Sequence, residues 1–205
     1  MTQLLSVHPD NPQARLLKQA AEVMRKGGLV VYPTDTTYAL GCHIGDKPAL
    51  NRLIALRRLS SRHQFTLVCR DLSDLGTYAR VDNVEYRLLR RYTPGPFTWI
   101  LRATREVPKR LVHEKRRTIG LRVPDNNIVQ MLLELMGEPI MTTTLQLPDE
   151  DEPLSDAWDI YERIGHQVDL VIDGGPGGSM PSTVVDLCGD VPEVVRQGTG
   201  VLDVV

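Results

Sequence analysis

The chain has 205 residues, of which 41% are hydrophobic and 24% charged, and this composition is typical of a globular protein with one core. Its three cysteines, Cys42, Cys69 and Cys188, include no CxxC pair, which argues against a disulfide framework and against a zinc cluster. The N-terminal segment has no basic n-region, and no apolar run approaches the roughly 18 to 20 residues of a membrane span. We therefore expect one domain over residues 1–205 and a cytoplasmic location without a membrane.

The net charge of −2 conceals a strong asymmetry along the sequence. Formal charges are +1 over residues 1–51, +11 over residues 52–122 and −14 over residues 123–205. The basic middle segment is either a set of solvated helix faces or a surface for a polyanion such as ATP or RNA. In the second case, residues from Arg52 to Arg122 should supply the positive surface, with the acidic 149–162 stretch on the far side.

The hydrophobic pattern predicts alternating helices and short buried strands. The first helix is expected to open at Asn11-Pro12, where Asn can cap and Pro suits the first helical position, and to stop at Gly27-Gly28. Further strands are predicted at 29–32, 65–69, 97–103, 118–123, 139–143, 168–173, 182–187 and 193–196, and further helices near 48–57, 82–91, 126–137 and 155–164. The last three strands lie too close together for parallel crossovers, so we expect a single α/β domain with a mixed sheet.

Small hydroxyl residues, glycines and lone arginines mark the ends of several predicted strands. These segments are 32–38, 93–98, 118–124, 141–144, 181–183 and 196–198. Ligands of open α/β sheets collect where strands end, and hydroxyls, backbone N–H groups and arginine forks bind phosphate and carboxylate. The segments together predict a pocket for an anionic ligand, although each one alone is more typical of an ordinary turn.

Two loops and the histidines carry weaker signals. The glycine run 173–178 lacks both the Lys-Ser/Thr of a P-loop and the GxGxxG order, so it predicts a mobile lid or a hairpin. The acidic segment 147–156 predicts a mobile surface loop. The five histidines include no i,i+4 pair, and no nucleophile motif is visible. The hydroxyls are therefore interpreted as binding groups, and no protein-built metal site is expected.

Taken in order, these segments resemble the YrdC/YciO family, which includes the threonylcarbamoyl-AMP synthases, and are most similar to its YciO branch. The resemblance runs from about residue 9 to residue 198 and rests on VVYPTDTTYALGC at 30–42, TPGPFTWIL at 93–101, TIGLRVP at 118–124, VDLVIDGG at 168–175, PSTVVDL at 181–187 and VVRQG at 194–198. It implies a twisted α/β domain of the YrdC-like type with flanking helices and a basic concave surface. It also implies conversion of ATP, threonine and bicarbonate to threonylcarbamoyl-adenylate and pyrophosphate, a step of tRNA modification, and some members bind double-stranded RNA.

The resemblance also implies site residues. Thr34, Arg122 and Ser182 correspond to threonine contacts, with Arg122 presenting its fork to the carboxylate. The corresponding ATP contacts are Arg57, Thr98, Thr118, Thr144, Gln146 and Arg196. Mg²⁺ would enter bound to ATP, and no residue need act as a nucleophile, because a carbamate formed from threonine and bicarbonate can itself attack the α-phosphorus. A single cavity is expected to be lined by Arg57, Thr98, Thr118, Arg122, Thr144, Ser182 and Arg196.

Two segments depart from the pattern of active synthases, which hold ATP with Lys-x-Arg and Ser-x-Asn. This chain reads Arg57-Arg58-Leu59 and Thr144-Leu145-Gln146 there. Losing one cation beside a triphosphate removes a charge-assisted hydrogen bond worth roughly 1.5–3 kcal/mol, and Arg58 would point about 100° away from its helical neighbour. We therefore expect threonylcarbamoyl-adenylate to form slowly if at all. The alternatives are a double-stranded RNA-binding or ribosome-associated module, and a nucleotide-binding paralogue unrelated to tRNA.

Overall fold

The computed structural model describes residues 2–60 and 63–203, which form a single α/β domain on one mixed β-sheet. The strands are β1 (Gln3–Ser6), β2 (Val30–Pro33), β3 (Tyr38–His43), β4 (Thr66–Val68), β5 (Ala79–Arg80), β6 (Phe97–Ala103), β7 (Thr118–Arg122), β8 (Ile140–Thr144), β9 (Leu170–Asp173), β10 (Thr183–Asp186) and β11 (Glu193–Arg196). The helices are α1 (Ala14–Arg25), α2 (Lys47–Arg57), α3 (Leu72–Tyr78), α4 (Asn83–Tyr92), α5 (Asn127–Met136) and α6 (Ala157–Ile164). Short 3₁₀ turns lie at Lys109–Leu111 and Gly165–Gln167.

The strands are ordered β1-β9-β2-β3-β8-β4-β7-β6-β10-β11, and β5 pairs with the end of β6. Parallel pairs join β1 to β9, β9 to β2, β4 to β7, and β6 to β10. The neighbours β2, β3, β8 and β4 are antiparallel in turn, as are β7 with β6 and β10 with β11. The mixed sheet expected from the sequence is therefore confirmed.

The two faces of the sheet are covered unequally by helices. On the first face, α2, α3, α4 and α6 pack on alternate strand residues, for example Leu53 and Leu89 in one cluster with Trp99 and Leu121. On the second face, α1 and α5 pack over β9, β2 and β3 through a cluster that includes Leu17. That cluster takes no residue from β7, β6 or β10 in the part of the chain described. The second face is thus open over these strands.

Short polar side chains set several helix boundaries. Asp46 accepts a hydrogen bond from the N–H of Ala49 at 2.8 Å and caps α2. Asp82 forms a reciprocal capping box with Glu85 at the start of α4. Gly137 ends α5 with a φ of 72°, a left-handed conformation that costs glycine little. Each of these helices therefore begins or ends where the local sequence predicts.

The start of α1 was predicted wrongly. The helix begins at Ala14 with Gln13 at the N-cap, and both positions are two residues later than the expected Asn11 cap and Pro12 start. The ring Nδ1 of His8 accepts hydrogen bonds from the N–H groups of Asp10 at 3.2 Å and Asn11 at 3.1 Å. These bonds hold the segment as a turn, so the Asn side chain does not cap the helix.

The strands near the C-terminus are only partly as expected. β10 and β11 pair antiparallel, as their close spacing suggested, but β9 lies near the other end of the sheet. The glycine run 173–178 therefore does not form a hairpin. It crosses the sheet, and the N–H of Gly178 donates to the carbonyl of Thr36 at 2.8 Å. A Cβ on Gly178 would lie 2.3 Å from that oxygen, so the crossing requires glycine at this position. The elements β1, β3, α3 and β5 are absent from the sequence-based prediction.

Candidate functional site

The uncovered part of the second sheet face holds a cavity of about 340 Å³. Strand alternation determines its floor: Trp99, Leu121 and Met141 belong to the core of the first face, so their neighbours Thr98 and Arg122 point to the second. Other residues that line the cavity are Thr66, Val68, Ile100, Thr142, Val184 and Val195. On this open part of the second face, the strands present threonine and arginine. Under α1 and α5, the strands of the same face present apolar residues instead.

Eight of the nine candidate site residues line this cavity. They are Thr34, Arg57, Thr98, Arg122, Thr144, Gln146, Ser182 and Arg196. The expectation that Thr118 lines it is wrong. Thr118 is buried at the start of β7, four residues and therefore roughly 13 Å along the strand from Arg122. The ATP contact that the resemblance implies for Thr118 is therefore not supported by the location of this residue.

Arg122 is held in place by an ion pair with Asp35. The Nη2 group donates to the Asp35 carboxylate and to Thr36 Oγ1 at 2.8 Å, and the two charged side chains are 8% and 10% exposed. The other Asp35 oxygen accepts the N–H of Asp125 at 3.1 Å. Among the described residues, no group accepts a hydrogen bond from the buried Nε of Arg122. One side of the guanidinium is therefore fixed by the protein, and the other has donor capacity left for a ligand.

The Thr34 hydroxyl mainly stabilises the turn between β2 and β3. Its Oγ1 donates to the carbonyl of Thr37 at 2.7 Å and accepts the N–H groups of Thr36 at 3.1 Å and Thr37 at 3.2 Å. Arg122 Nη2 lies 3.5 Å from the same oxygen. In this state Thr34 shapes the loop that carries Asp35, while its side chain borders the cavity.

The opposite wall is formed by Arg196, Ser182 and Thr98. The hydroxyls of Thr98 and Ser182 lie 2.7 Å apart, and Arg196 Nη2 donates to the Ser182 carbonyl at 2.8 Å. Burial, and next the positive charge of Arg122, lower the pKa of Arg196. The two arginines therefore face one cavity, and their mutual repulsion would be relieved by an anion between them.

Arg57 and His63 complete the polar lining at the end of α2. The Nε of Arg57 is buried without an acceptor among the described residues, and burial lowers the pKa of this guanidinium. Burial and then the charge of Arg57 lower the pKa of His63, so its ring is neutral near pH 7. The lining thus contains three guanidinium groups. Within residues 2–60 and 63–203, Asp35 is the one carboxylate that forms an ion pair with any of them. Such a balance favours an anionic ligand.

Sequence reasoning missed His63 and Gln64 as lining residues. Both lie in the cavity wall just before β4. The signal in the sequence is weak, because the anion-binding pattern marks the ends of strands and these two residues precede a strand. His63 also has no metal-ligand spacing to another histidine.

Gln146 lines the cavity but also ties down the acidic loop 147–156. Its amide Nε2 donates to the carbonyls of Glu150 at 2.9 Å and Asp151 at 3.1 Å. Arg58, with a left-handed φ of 47°, pairs with Asp149 at 3.4 Å. Leu59 packs against the core of the first face. Arg58 therefore turns toward the acidic loop and away from the cavity, and the expectation that acidic residues lie on the far side from the basic segment is wrong here.

No helix in residues 2–60 or 63–203 is both long and apolar enough to cross a bilayer. Within the same ranges, no three His, Cys, Asp or Glu side chains are grouped as metal ligands.

Comparison with known proteins identifies the family. The Sua5/yciO/yrdC family profile, which is described as "Telomere recombination", matches residues 22–198. The chain belongs to this family. It is 55% identical to the YciO protein of Escherichia coli K12 over 200 residues, which are 98% of this chain and 97% of that one. The crystal structure of E. coli YciO superposes with a TM-score of 0.96 at 54% identity, covering 99% of this chain and 98% of that one.

The Sua5/YciO/YrdC family also contains named enzymes at greater distance. The threonylcarbamoyl-AMP synthase of Vibrio vulnificus YJ016 is 27% identical over 186 residues, which are 89% of this chain and 98% of the synthase. The crystal structure of P. abyssi Sua5 complexed with L-threonine matches with a TM-score of 0.88 at 26% identity, covering 96% of this chain and 58% of Sua5. The family and fold implied by the sequence motifs are therefore confirmed.

Proposed function

We propose that this protein binds MgATP, L-threonine and bicarbonate in the cavity and forms threonylcarbamoyl-adenylate slowly. The observation that carries the proposal is the convergence of Arg57, Arg122 and Arg196 on one cavity. Asp35 neutralises the charge of Arg122 and leaves the other two arginines without an ion pair among the described residues. Two of these arginines have pKa values lowered by burial, so the site gains from a bound anion. The similarity to a Sua5 that is complexed with L-threonine supports threonine as the amino acid.

In this proposal the residues act by binding and orientation. The open side of Arg122 holds the threonine carboxylate, and the Ser182 and Thr98 hydroxyls position the rest of that substrate. Arg57 and Arg196 contact the phosphates, while Thr144 and Gln146 border the nucleotide. The threonine amine and bicarbonate give a carbamate and water. A carbamate oxygen then attacks the α-phosphorus, the bond to the β-phosphate oxygen breaks, and pyrophosphate leaves with the electron pair.

The expected slow rate has a physical basis at two positions. The Gln146 amide nitrogen already donates to two loop carbonyls, so only its oxygen is left to face a ligand. Leu59 stands where active synthases carry a cation, and it packs on the core. We expect Leu59→Arg with Gln146→Asn to raise pyrophosphate release about tenfold or more, because one charge-assisted contact supplies about that much. A doubly substituted protein that folds, binds ATP and gains no rate would contradict this account of the slow rate.

The proposal is tested by incubating the protein with ATP, Mg²⁺, bicarbonate and each amino acid in turn, and identifying any adenylate by mass. Threonylcarbamoyl-adenylate that needs both threonine and bicarbonate is the expected product, and its yield at subsaturating ATP should fall at least about tenfold with Arg196→Gln. An adenylate from another amino acid would redirect the substrate. If no amino acid yields an adenylate and ATP does not bind, the proposed function is wrong.

A further inference from the structure

A second cleft, which we name the arginine cleft, lies on the protein away from the candidate site. Its volume is about 610 Å³, and its basic lining residues are Arg80, Arg102, Arg105, Lys109, Arg116 and Arg117. On β6, Thr98 lines the candidate site and Arg102 lines the arginine cleft. Four residues of extended strand separate them by roughly 13 Å. The two sites are therefore distinct and share one sheet.

The charges in the arginine cleft are poorly compensated by the protein itself. Some exposed arginines elsewhere have carboxylate partners, for example Arg52 with Asp169 at 2.9 Å, and others, such as Arg87 on α4, stand alone on the surface of the part of the chain described. In the cleft, only Arg116 has such a partner among the residues that the structure describes. Arg80 and Arg102 stand directly opposite each other across β5 and β6. Like charges in that position are unfavourable, so the arrangement gains from a bound anion.

Part of the cleft is held in place by a buried carboxylate. The Asp186 side chain is 6% exposed, and it bonds Arg116 Nη2 at 2.5 Å and the N–H of Cys188 at 2.9 Å. Arg102 Nη2 donates to the Cys188 carbonyl at 3.4 Å. The bond to Asp186 raises the pKa of Arg116. Two cations are thus positioned by one turn before any ligand arrives.

The backbone also brings two successive arginines to the same cleft. Side chains of neighbouring residues on an extended strand point to opposite faces. Arg117 has a φ of 58°, a left-handed conformation that breaks this alternation just before β7. Arg116 and Arg117 therefore both line the cleft.

We propose that the arginine cleft binds a compact polyphosphate anion, such as inorganic pyrophosphate, tripolyphosphate or the phosphate tail of a nucleotide. Arginine forks suit phosphate oxygens, and several of them converge here. An adjoining depression contains Asp82, Glu85 and Asp190, whose charges would repel a longer phosphate track. No aromatic side chain belongs to the described lining of the cleft, so it offers no stacking platform for bases. A short polyphosphate fits these limits better than a nucleic acid strand.

The test is calorimetric titration with inorganic tripolyphosphate at low salt, carried out on the parent and on Arg196→Gln, in which the candidate site is weakened. Arg105→Gln with Lys109→Gln, introduced into Arg196→Gln, removes two exposed cations from the cleft. The matched control, Arg87→Gln with Arg90→Gln on α4, removes the same charge elsewhere. We expect binding to persist in Arg196→Gln, to weaken at least about tenfold with the cleft pair, and to change less than about threefold with the control pair.

Three results would overturn the arginine cleft as a polyphosphate site: equal losses with the cleft and control pairs, complete loss with Arg196→Gln alone, or a cleft pair that weakens duplex RNA binding but not tripolyphosphate binding. Titrations with pyrophosphate and with ATP distinguish the source of the anion. Equal affinity for ATP and tripolyphosphate supports a nucleotide tail, whereas preference for the inorganic anions supports free polyphosphate. The cleft and control pairs are both compared in the Arg196→Gln background. The result for the cleft therefore does not depend on whether the proposed adenylate chemistry is correct.

Discussion

Replacing Asp35 by Asn should expose how much the protein spends on orienting Arg122. The paired side chains are 8% and 10% exposed, so the Arg122 charge would be left buried without an opposite charge beside it. Breaking a buried ion pair costs about 3–5 kcal/mol. Asn keeps one acceptor oxygen, so we expect the lower end of that range. For a domain of 205 residues, about 3 kcal/mol corresponds to a fall in Tm of roughly 6–12 °C.

The assay is thermal and urea unfolding of Asp35→Asn, Arg122→Gln and the double variant. The double variant should be more stable than Asp35→Asn alone, because no buried charge is left without its partner. A loss below about 1 kcal/mol for Asp35→Asn, or simple additivity of the two changes, would refute the view that Asp35 compensates Arg122.

Three further changes test other parts of the cavity. Arg196→Gln should weaken ATP binding about ten- to a hundredfold in calorimetry, with exposed Arg87→Gln as a control that leaves it unchanged; equal effects would refute a specific contact. Burial, and next the charge of Arg57, lower the pKa of His63, so the ring of the unliganded protein is neutral near pH 7 and gains a proton only in more acidic solution. A bound anion favours that proton, so ATP affinity should rise from about pH 8 to about pH 6 and His63→Gln should flatten the rise; an unchanged profile argues against His63. Gly120→Ala places a Cβ 2.7 Å from Thr66 Oγ1, so urea unfolding should show a loss of about 1–3 kcal/mol, and an unchanged midpoint would contradict this crowding.

Much of the fold could be predicted from local pattern, because amphipathic helices and apolar strands leave a strong periodic signal. The strands at 97–103 and 118–123 and the helix at 126–137 were found in this way, and the structure confirms each within a few residues. Some short elements were not predicted. β5 has two residues and β1 has four, and their pairing depends on partners distant in sequence. Local periodicity contains no record of such partners.

The candidate site was predicted from the order of several weak motifs, and the error at Thr118 follows from its distance along the strand. Thr118 was placed in the cavity because it belongs to the same motif as Arg122, but the strand carries it away from the cavity. Asp35 was predicted only as part of a strand-end segment. Its ion pair with Arg122, 87 positions away in the sequence, depends on the tertiary structure. The arginine cleft depends on the left-handed φ of Arg117, a conformation that an arginine in the sequence does not signal in advance.

The strand order has a consequence for how the protein is made. The edge strand β1 is synthesised first, but it can pair only after β9 has been synthesised. The cavity is lined by Thr34 from the N-terminal part of the chain and by Arg196 from the C-terminal part. A ribosome-bound chain that has not yet reached Ser182 also lacks Arg196 and so has no opposite wall to the cavity. Pairings over such separations form slowly and leave sheet edges exposed meanwhile. Binding capacity should therefore arise abruptly, when the last strand docks, and a chain clipped before residue 182 should retain most of the sheet with none of that capacity.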